Sequence, residues 1–295
     1  MGIVSINPKD IETARLHGLL LSAVAPRPIA FASTVDTSGN VNLSPFSFFN
    51  VFSANPPILI FSPARRVRDN TTKHTLENAI ATKEVTINIV NFPIVEQMSL
   101  SSTEYDKGVN EFSKSGLTQV PSVKVKPPRV KESPVSFECI VENVMPLGEE
   151  GGAGNLVIAK VVMVHVEDSY TKENGILDTT KLDLVARMGE SWYCRASKDA
   201  LFEIPKPVFT KGIGVDKLPK HILESEILTG NNLGRLGNSE KLPTQEEIST
   251  FLAENKEVQT MIINKEISAL HTKIKEFLNE ENVFKAVLVA FSFNK

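Results

Sequence analysis

The 295-residue chain is predicted to be mainly β, a β-barrel with added helices. Three observations favour this class. Several short segments alternate between apolar and polar residues with the period of two that marks strands. Long helical patterns are few, and strands do not alternate regularly with helices as they would in a doubly wound sheet. The pattern changes after about residue 200, which predicts a barrel domain in residues 1–200 and a C-terminal extension in residues 201–295.

The barrel strands are indicated by their alternation and by the turns between them. A turn over residues 36–40 joins the first two strands, because its Gly and Asn tolerate positive φ. A glycine cluster over residues 148–154 joins the last two strands as a hairpin. Strands are predicted over residues 28–35, 41–44, 58–61, 84–90, 135–144 and 156–166. Short helices are predicted over residues 74–82, 96–101 and 108–112.

The extension is predicted to consist of a long helix and a terminal strand. The helical pattern runs from residue 244 to residue 281 and opens with Thr244 and Glu247. This is the spacing of a capping box, in which each side chain satisfies a free backbone N–H of the other residue. The apolar run over residues 284–291 closes the chain and is typical of a strand.

Composition excludes some classes of function. A hydrophobic fraction of 41% and a charged fraction of 23% are typical of a globular protein. The formal net charge of −3 provides no global field for nucleic acid or a membrane surface. Cys139 and Cys194 show no metal spacing, and no signal-peptide pattern opens the chain, so we expect reduced thiols in a cytoplasmic protein.

Familiar catalytic motifs are absent from the sequence. It contains no GxSxG, HExxH or GxxxxGK[ST] pattern, and its glycine cluster fails GxGxxG and precedes a strand. We therefore predict neither catalytic side chains nor a metal site. An enzyme without a visible nucleophile, acid–base pair or metal site usually takes its chemistry from an organic cofactor.

A basic, hydroxyl-rich segment over residues 65–75 suggests that such a cofactor carries a phosphate. Hydroxyls and backbone N–H groups near a helix start favour an anion. Because exposed charge runs usually face water, we expect about one of the three arginines to contact the phosphate. The polar residues of the segment include Arg65, Arg66, Arg68, Thr71, Thr72, Lys73, His74 and Thr75.

Two blocks of the sequence resemble a known family. They are RPIAFASTVDTSGNVNLSPFSFFNVFSANPPILIFSP, which begins at Arg27, and KHTLENAIATKEVTINIV, which begins at Lys73. Together with the later LDLVARMGESWY, they resemble the flavin reductase-like proteins that have an FMN-binding split β-barrel. The resemblance covers about residues 15–195 and implies a homodimer with one FMN per protomer near the subunit interface.

The resemblance also implies which residues bind the cofactor. Two residues end the first strand beside the flavin, two lie on the return strand, residues 47–50 follow the isoalloxazine ring, and the basic segment holds the phosphate. His74 departs from the acidic residue of many relatives and is assigned to phosphate or substrate. The implied residues are Ser33, Thr34, Asn42, Ser44, Ser47, Phe48, Phe49, Asn50, Arg68, Lys73, His74 and Thr75.

The function expected from the resemblance is that of an FMN-dependent oxidoreductase. It would take hydride from NADH or NADPH and pass electrons to free flavin or to another acceptor, such as a partner monooxygenase or other redox protein. Two alternatives stay open. One is an FMN electron carrier that has no NAD(P)H activity of its own, and the other is a split-barrel module that binds a different ligand.

Overall fold

An antiparallel sheet is the main element of the first of two units into which the chain divides, Met1–Phe202 and Glu203–Lys295. The computed structural model describes residues 2–205 and 211–293. The strands of the first unit are β1 (Ala30–Val35), β2 (Val41–Phe46), β3 (Phe49–Ala54), β4 (Pro57–Phe61), β5 (Glu84–Ile89), β6 (Gln119–Val120), β7 (Arg129–Val130), β8 (Val135–Pro146), β9 (Asn155–Val166), β10 (Leu184–Arg187) and β11 (Tyr193–Ala196).

Seven of these strands form one sheet in the order β2-β1-β5-β8-β9-β4-β3. Its two edge strands, β2 and β3, follow each other in the chain with only Ser47 and Phe48 between them. The sheet must therefore curl until its edges meet at that corner. Within the described residues, β2 and β3 share no ladder, so the barrel stays split there. The predicted mainly β barrel with added helices is confirmed.

Both faces of the sheet are covered around β1, which is buried along its whole length. Ala30 and Ala32 point into one apolar cluster, together with Phe61, while Phe31 belongs to a second cluster on the other face. This is the alternation expected of a strand. The helices of this unit are α1 (Thr13–Ala23), α2 (His74–Thr82), α3 (Val95–Leu100) and α4 (Glu111–Ser115).

Helix α2 has the bounds that the sequence predicts, and it joins the first cluster through Leu76 and Ala79. Lys83 ends the helix in the left-handed conformation with φ 60°. The helix begins directly after the basic segment. Packing on α2 therefore fixes the end of that segment against the barrel.

The second unit is helical over the residues that the structure describes. Its core consists of buried apolar side chains from all of its longer helices, including Phe251, Leu270, Ile274 and Leu278. The helices are α5 (Lys220–Leu223), α6 (Gly230–Gly237), α7 (Gln245–Glu254), α8 (Lys256–Ile263), α9 (Ile267–Asn279) and α10 (Val283–Ser292).

The single long helix predicted over residues 244–281 is wrong, because the segment forms α7, α8 and α9. The capping box of Thr244 and Glu247 is present at its start. Asn255 then leaves the helical conformation, and its side-chain amide donates to the Phe251 carbonyl at 2.7 Å. Lys265, with φ 57°, separates α8 from α9. Local hydrogen bonds of this kind compete with a continuous helix.

The terminal strand predicted over residues 284–291 is also wrong, since these residues lie in α10. Asn282 caps the helix by accepting from the Lys285 N–H at 3.2 Å. Five consecutive residues, 286–290, are buried. A helix that is apolar on every side is a buried helix, and a short apolar run does not distinguish it from a strand.

No helix in the described parts of the chain combines the length and the apolar character needed to cross a bilayer.

Candidate functional site

A cavity of about 450 Å³ lies at the corner where β2 passes into β3. Its walls combine aromatic and aliphatic side chains with several cations. The loop after β4 supplies most of the cations, and α1 adds a further wall. The lining residues are His17, Leu21, Pro45, Phe46, Ser47, Phe48, Ser62, Ala64, Arg65, Arg66, Val67, Arg68, Lys73, Glu104 and Gly152.

The tip of the β8–β9 hairpin holds the basic loop in place. The Arg65 N–H donates to the Ala153 carbonyl at 2.8 Å, and the Gly152 N–H donates to the Arg65 carbonyl at 3.0 Å. A Cβ on Gly151 would lie 3.0 Å from the carbonyl oxygens of Arg66 and Val67. Glycine is therefore required here for the close approach of two backbones.

The arginines of the loop are partly neutralised by neighbouring side chains. Glu104 accepts from Arg66 Nε at 2.8 Å and also pairs with Arg68. The hydrogen bond from Arg66 is the largest of the effects that lower the pKa of Glu104. Arg65 instead donates to Asn70, to Oδ1 at 2.6 Å and to the carbonyl at 2.7 Å. The loop conformation thus depends on its own charged groups.

Lys73 differs from Arg66 and Arg68 because, in the described chain, no carboxylate lies within ion-pair distance of its ammonium group. Its Nζ lies 5.5 Å from the centre of the Phe46 ring. Burial, followed by the nearby charge of Arg66, lowers the pKa of Lys73. A cation in this position is unfavourable until an anion approaches it. Lys73 therefore brings to the cavity a positive charge that has no carboxylate partner within ion-pair distance in the described chain.

Four of the residues assigned by resemblance line this cavity, namely Ser47, Phe48, Arg68 and Lys73. Asn42 and His74 instead border a second, water-sized cleft of about 10 Å³. These six assigned residues thus lie at two separate places, and the other six line neither cavity. Their roles in cofactor binding remain predictions.

Asn42 and Thr75 belong to a buried hydrogen-bond network. The Thr75 hydroxyl donates to Asn42 Oδ1 at 2.6 Å, and Asn42 Nδ2 donates to Glu111 Oε1 at 2.8 Å. The Leu43 N–H completes the site by donating to Glu111 Oε2 at 2.9 Å. Desolvation by burial raises the pKa of Glu111. Because these polar groups meet one another's hydrogen-bonding requirements, their contacts stabilise the packing of α2 and α4 against β2.

The other assigned residues have separate surroundings. Thr34 Oγ1 accepts from Asn78 at 3.1 Å, whereas the buried Ser33 hydroxyl has no partner within the described structure. Asn50 is exposed and accepts from the N–H of the residue that follows it. Phe49 packs against the first apolar cluster, and half-buried Ser44 pairs with Ala32 of β1.

Several lining residues are not among those assigned by resemblance. The cationic character of the loop signals Arg65 and Arg66. Ser62 is buried and accepts from the Asn155 N–H at 3.0 Å, a role without a local sequence signal. His17 and Glu104 come from distant segments. Only the tertiary fold brings these two residues to the cavity.

Comparison with known proteins identifies the first unit. The family model described as flavin reductase like domain matches residues 22–182. Two uncharacterized bacterial proteins are similar in sequence. The relative from Aquifex aeolicus is 37% identical over 188 residues, 64% of this chain and 93% of its own. The one from Halalkalibacterium halodurans is 36% identical over 210 residues, 70% of this chain and 99% of its own.

Solved structures give the same result. Nitrilotriacetate monooxygenase component B from Bacillus cereus is 29% identical with a TM-score of 0.65, covering 69% of this chain and 100% of its own. A split barrel domain protein from Shewanella frigidimarina, provisionally assigned as a flavin reductase, is 31% identical with a TM-score of 0.56, covering 67% of this chain and 94% of its own. The split-barrel fold is thereby confirmed, and the chain belongs to the flavin reductase-like family.

Proposed function

We propose that this protein is an FMN-dependent oxidoreductase that passes electrons from NADH or NADPH to free flavin or another acceptor. The observation that carries the proposal is the composition of the 450 Å³ cavity, in which aromatic rings and cations line one space. FMN has the matching chemistry, since it combines a flat ring with a phosphate. Family membership supports the same assignment.

The residues of the cavity fit the two ends of FMN. Lys73 lacks a carboxylate partner in the described chain and would hold the phosphate by a charge-assisted hydrogen bond. Arg65, whose guanidinium bonds only neutral oxygens, would add a second positive charge. Phe46 and Phe48 offer apolar surface for the ring. Bound FMN would supply the two-electron chemistry of that ring, and these residues would bind it, orient it and exclude water.

We also propose a homodimer, because large apolar side chains are exposed on the barrel strands. Val51 and Phe52 of β3 are each 63% exposed, and Val164 of β9 is 49% exposed. Val51 and Phe52 are neighbours in the chain, and large exposed apolar patches mark interaction sites. The free thiols of Cys139 and Cys194 support our assignment to the cytoplasm.

A partner monooxygenase is proposed as one electron acceptor. The support is the similarity to nitrilotriacetate monooxygenase component B, whose name describes one component of a monooxygenase system. Free flavin remains the alternative acceptor.

Anaerobic spectroscopy tests the proposed function. FMN binding to the purified protein is measured by equilibrium dialysis, and the complex is then titrated with NADH and NADPH in separate cuvettes. We expect bound flavin absorbance that one nicotinamide bleaches. Bound flavin that dithionite bleaches but neither nicotinamide does would indicate an electron carrier. A protein that binds no FMN at equilibrium would contradict the cofactor assignment and favour a module for a different ligand.

A further inference from the structure

Helix α1 has close contacts at both of its own ends, although none of its residues is buried. At its start, a Cβ on Gly152 would lie 3.3 Å from the Thr13 methyl group. Near its end, a Cβ on Gly189 would collide with the Ser22 hydroxyl and lie 3.2 Å from Ser22 Cα. Because core packing does not hold this helix, the contacts at its ends must position it.

Arg27 makes the main contacts at the C-terminal end of α1. This arginine is only 6% exposed, and its guanidinium donates to the carbonyls of Leu21 and, at 2.7 Å, of Val24. Further bonds reach the Met188 carbonyl at 2.8 Å and the Ser47 hydroxyl at 3.4 Å. The last carbonyls of a helix attract a cation. Arg27 therefore ties α1 directly to Ser47, a residue of the cavity wall.

His17 and Leu21 stand four residues apart on α1, so they share one face of the helix, and both line the cavity. The His17 ring meets the Phe48 ring edge-on, with centroids 6.3 Å apart and planes at 85°. Neither ring nitrogen of His17 bonds to another residue in the part of the chain that the structure describes. An imidazole carries both donor and acceptor capacity. His17 thus brings unused hydrogen-bonding groups to the cavity.

We propose that His17 is a ligand-binding residue, which hydrogen-bonds the flavin, and that Arg27 is the positioning residue that holds His17 there. This inference rests on the proposed function, because it takes FMN as the ligand of the cavity. The family match begins at residue 22, so His17 lies before the matched residues. A bond from α1 to the ligand also gives this weakly packed helix an additional contact when the cavity is filled.

Fluorescence titration with FMN tests the role of His17. We expect His17→Ala to weaken FMN binding about tenfold, the value of one lost hydrogen bond. His17→Gln, which keeps a donor and an acceptor, should recover most of the affinity. Leu20→Ala is the matched truncation on an exposed position of the same helix and should bind like the wild type.

The outcomes separate this inference from the proposed function. Wild-type protein that binds no FMN would overturn both. If the wild type binds FMN and His17→Ala binds it with the same affinity, only the role of His17 is overturned. Nitrogen NMR of ring-labelled histidine gives an independent readout, since the His17 signals should move on FMN addition in the wild type and in Leu20→Ala.

Arg27→Lys tests the positioning role, because lysine keeps the charge but loses the fork that reaches several carbonyls. We expect weaker FMN binding and faster proteolytic cleavage within α1, with an unchanged far-ultraviolet CD spectrum. If Arg27 acts through His17, the Arg27→Lys/His17→Ala double variant binds FMN no more weakly than His17→Ala. Losses that add fully would overturn the positioning role.

Discussion

At the scale of single residues, Lys73 and Thr75 have different environments although they are two positions apart. The Lys73 ammonium lines the cavity above Phe46, whereas the Thr75 hydroxyl is buried and bonded to Asn42. Sequence reasoning assigns both residues to the phosphate. The geometry instead gives Lys73 a free charge for a ligand and gives Thr75 a partner within the protein.

Lys73→Ala should therefore weaken FMN binding without changing stability, while Thr75→Val should mainly lower stability. Loss of the hydroxyl leaves Asn42 Oδ1 without its donor, a cost of about 1–3 kcal/mol in the free energy of unfolding. FMN titration and urea unfolding measure the two effects. Lys131→Ala, an exposed lysine of the same unit, is the control for lost charge. Normal stability with weakened binding in Thr75→Val would place its hydroxyl on the ligand.

At the scale of secondary-structure elements, a chain of hydrogen bonds connects α5, α9 and α10. Ser225 Oγ lies 2.8 Å from His271 Nδ1, and His271 Nε2 lies 3.2 Å from His221 Nδ1. His221 Nε2 lies 3.2 Å from the Ala290 carbonyl. The chain is complete when both rings are neutral, because each ring then donates once and accepts once.

The second unit should lose stability in weak acid. Burial lowers the pKa of His221 below its ordinary 6.5, and burial followed by the charge of His221 lowers that of His271. Between the lowered values and 6.5 the unfolded chain binds more protons than the folded one. The stabilisation is therefore complete above pH 6.5 and decreases as the pH falls below it.

Urea unfolding between pH 8 and pH 5, followed by a probe in the second unit, measures this dependence. His271→Gln should flatten the curve because it removes one titrating ring, whereas His17→Gln in the first unit should leave it unchanged. An equally steep curve for His271→Gln would mean that other groups set the pH dependence.

Sequence patterns predict some of the secondary-structure elements correctly. The bounds of α2 follow directly from its local pattern, and strict alternation marks β1 and β5. The run that forms α10 carries no alternation, so its conformation depends on the helices that bury it. Asn255 and Lys265 interrupt the long helical pattern through side-chain bonding and a left-handed backbone, effects that apolar periodicity does not reveal.

Some residues of the candidate site can be recognised from the local sequence, whereas others come together only through the tertiary fold. The cations of the basic segment are visible in the sequence as a cluster. Asn42 and Glu111 meet only because α4 packs beside β2, and His17 reaches the cavity only because Arg27 and Gly189 position α1. No local pattern encodes these meetings. Asn42 is assigned to the flavin by the family resemblance, an assignment that stays a prediction, and His17 is not among the assigned residues.

At the scale of the whole molecule, the proposed homodimer gives a direct prediction. Phe52→Glu places a charge on the exposed apolar surface of β3 and should shift the protein from dimer to monomer. Sedimentation equilibrium at micromolar concentration measures the change. Ile263→Glu alters a residue of the second unit that is 72% exposed and should leave the dimer intact. A dimer that survives Phe52→Glu would place the interface elsewhere.

The pairing of Glu104 with Arg66 and Arg68 affects how long a ligand stays bound. Two cations of the cavity already have an anionic partner, so an incoming phosphate must exchange with a carboxylate to reach them. The gain in binding free energy is then only the difference between an arginine–phosphate pair and the arginine–carboxylate pair that it replaces. We expect a short residence time in consequence, which suits a flavin that is released and replaced during turnover better than one that is held permanently.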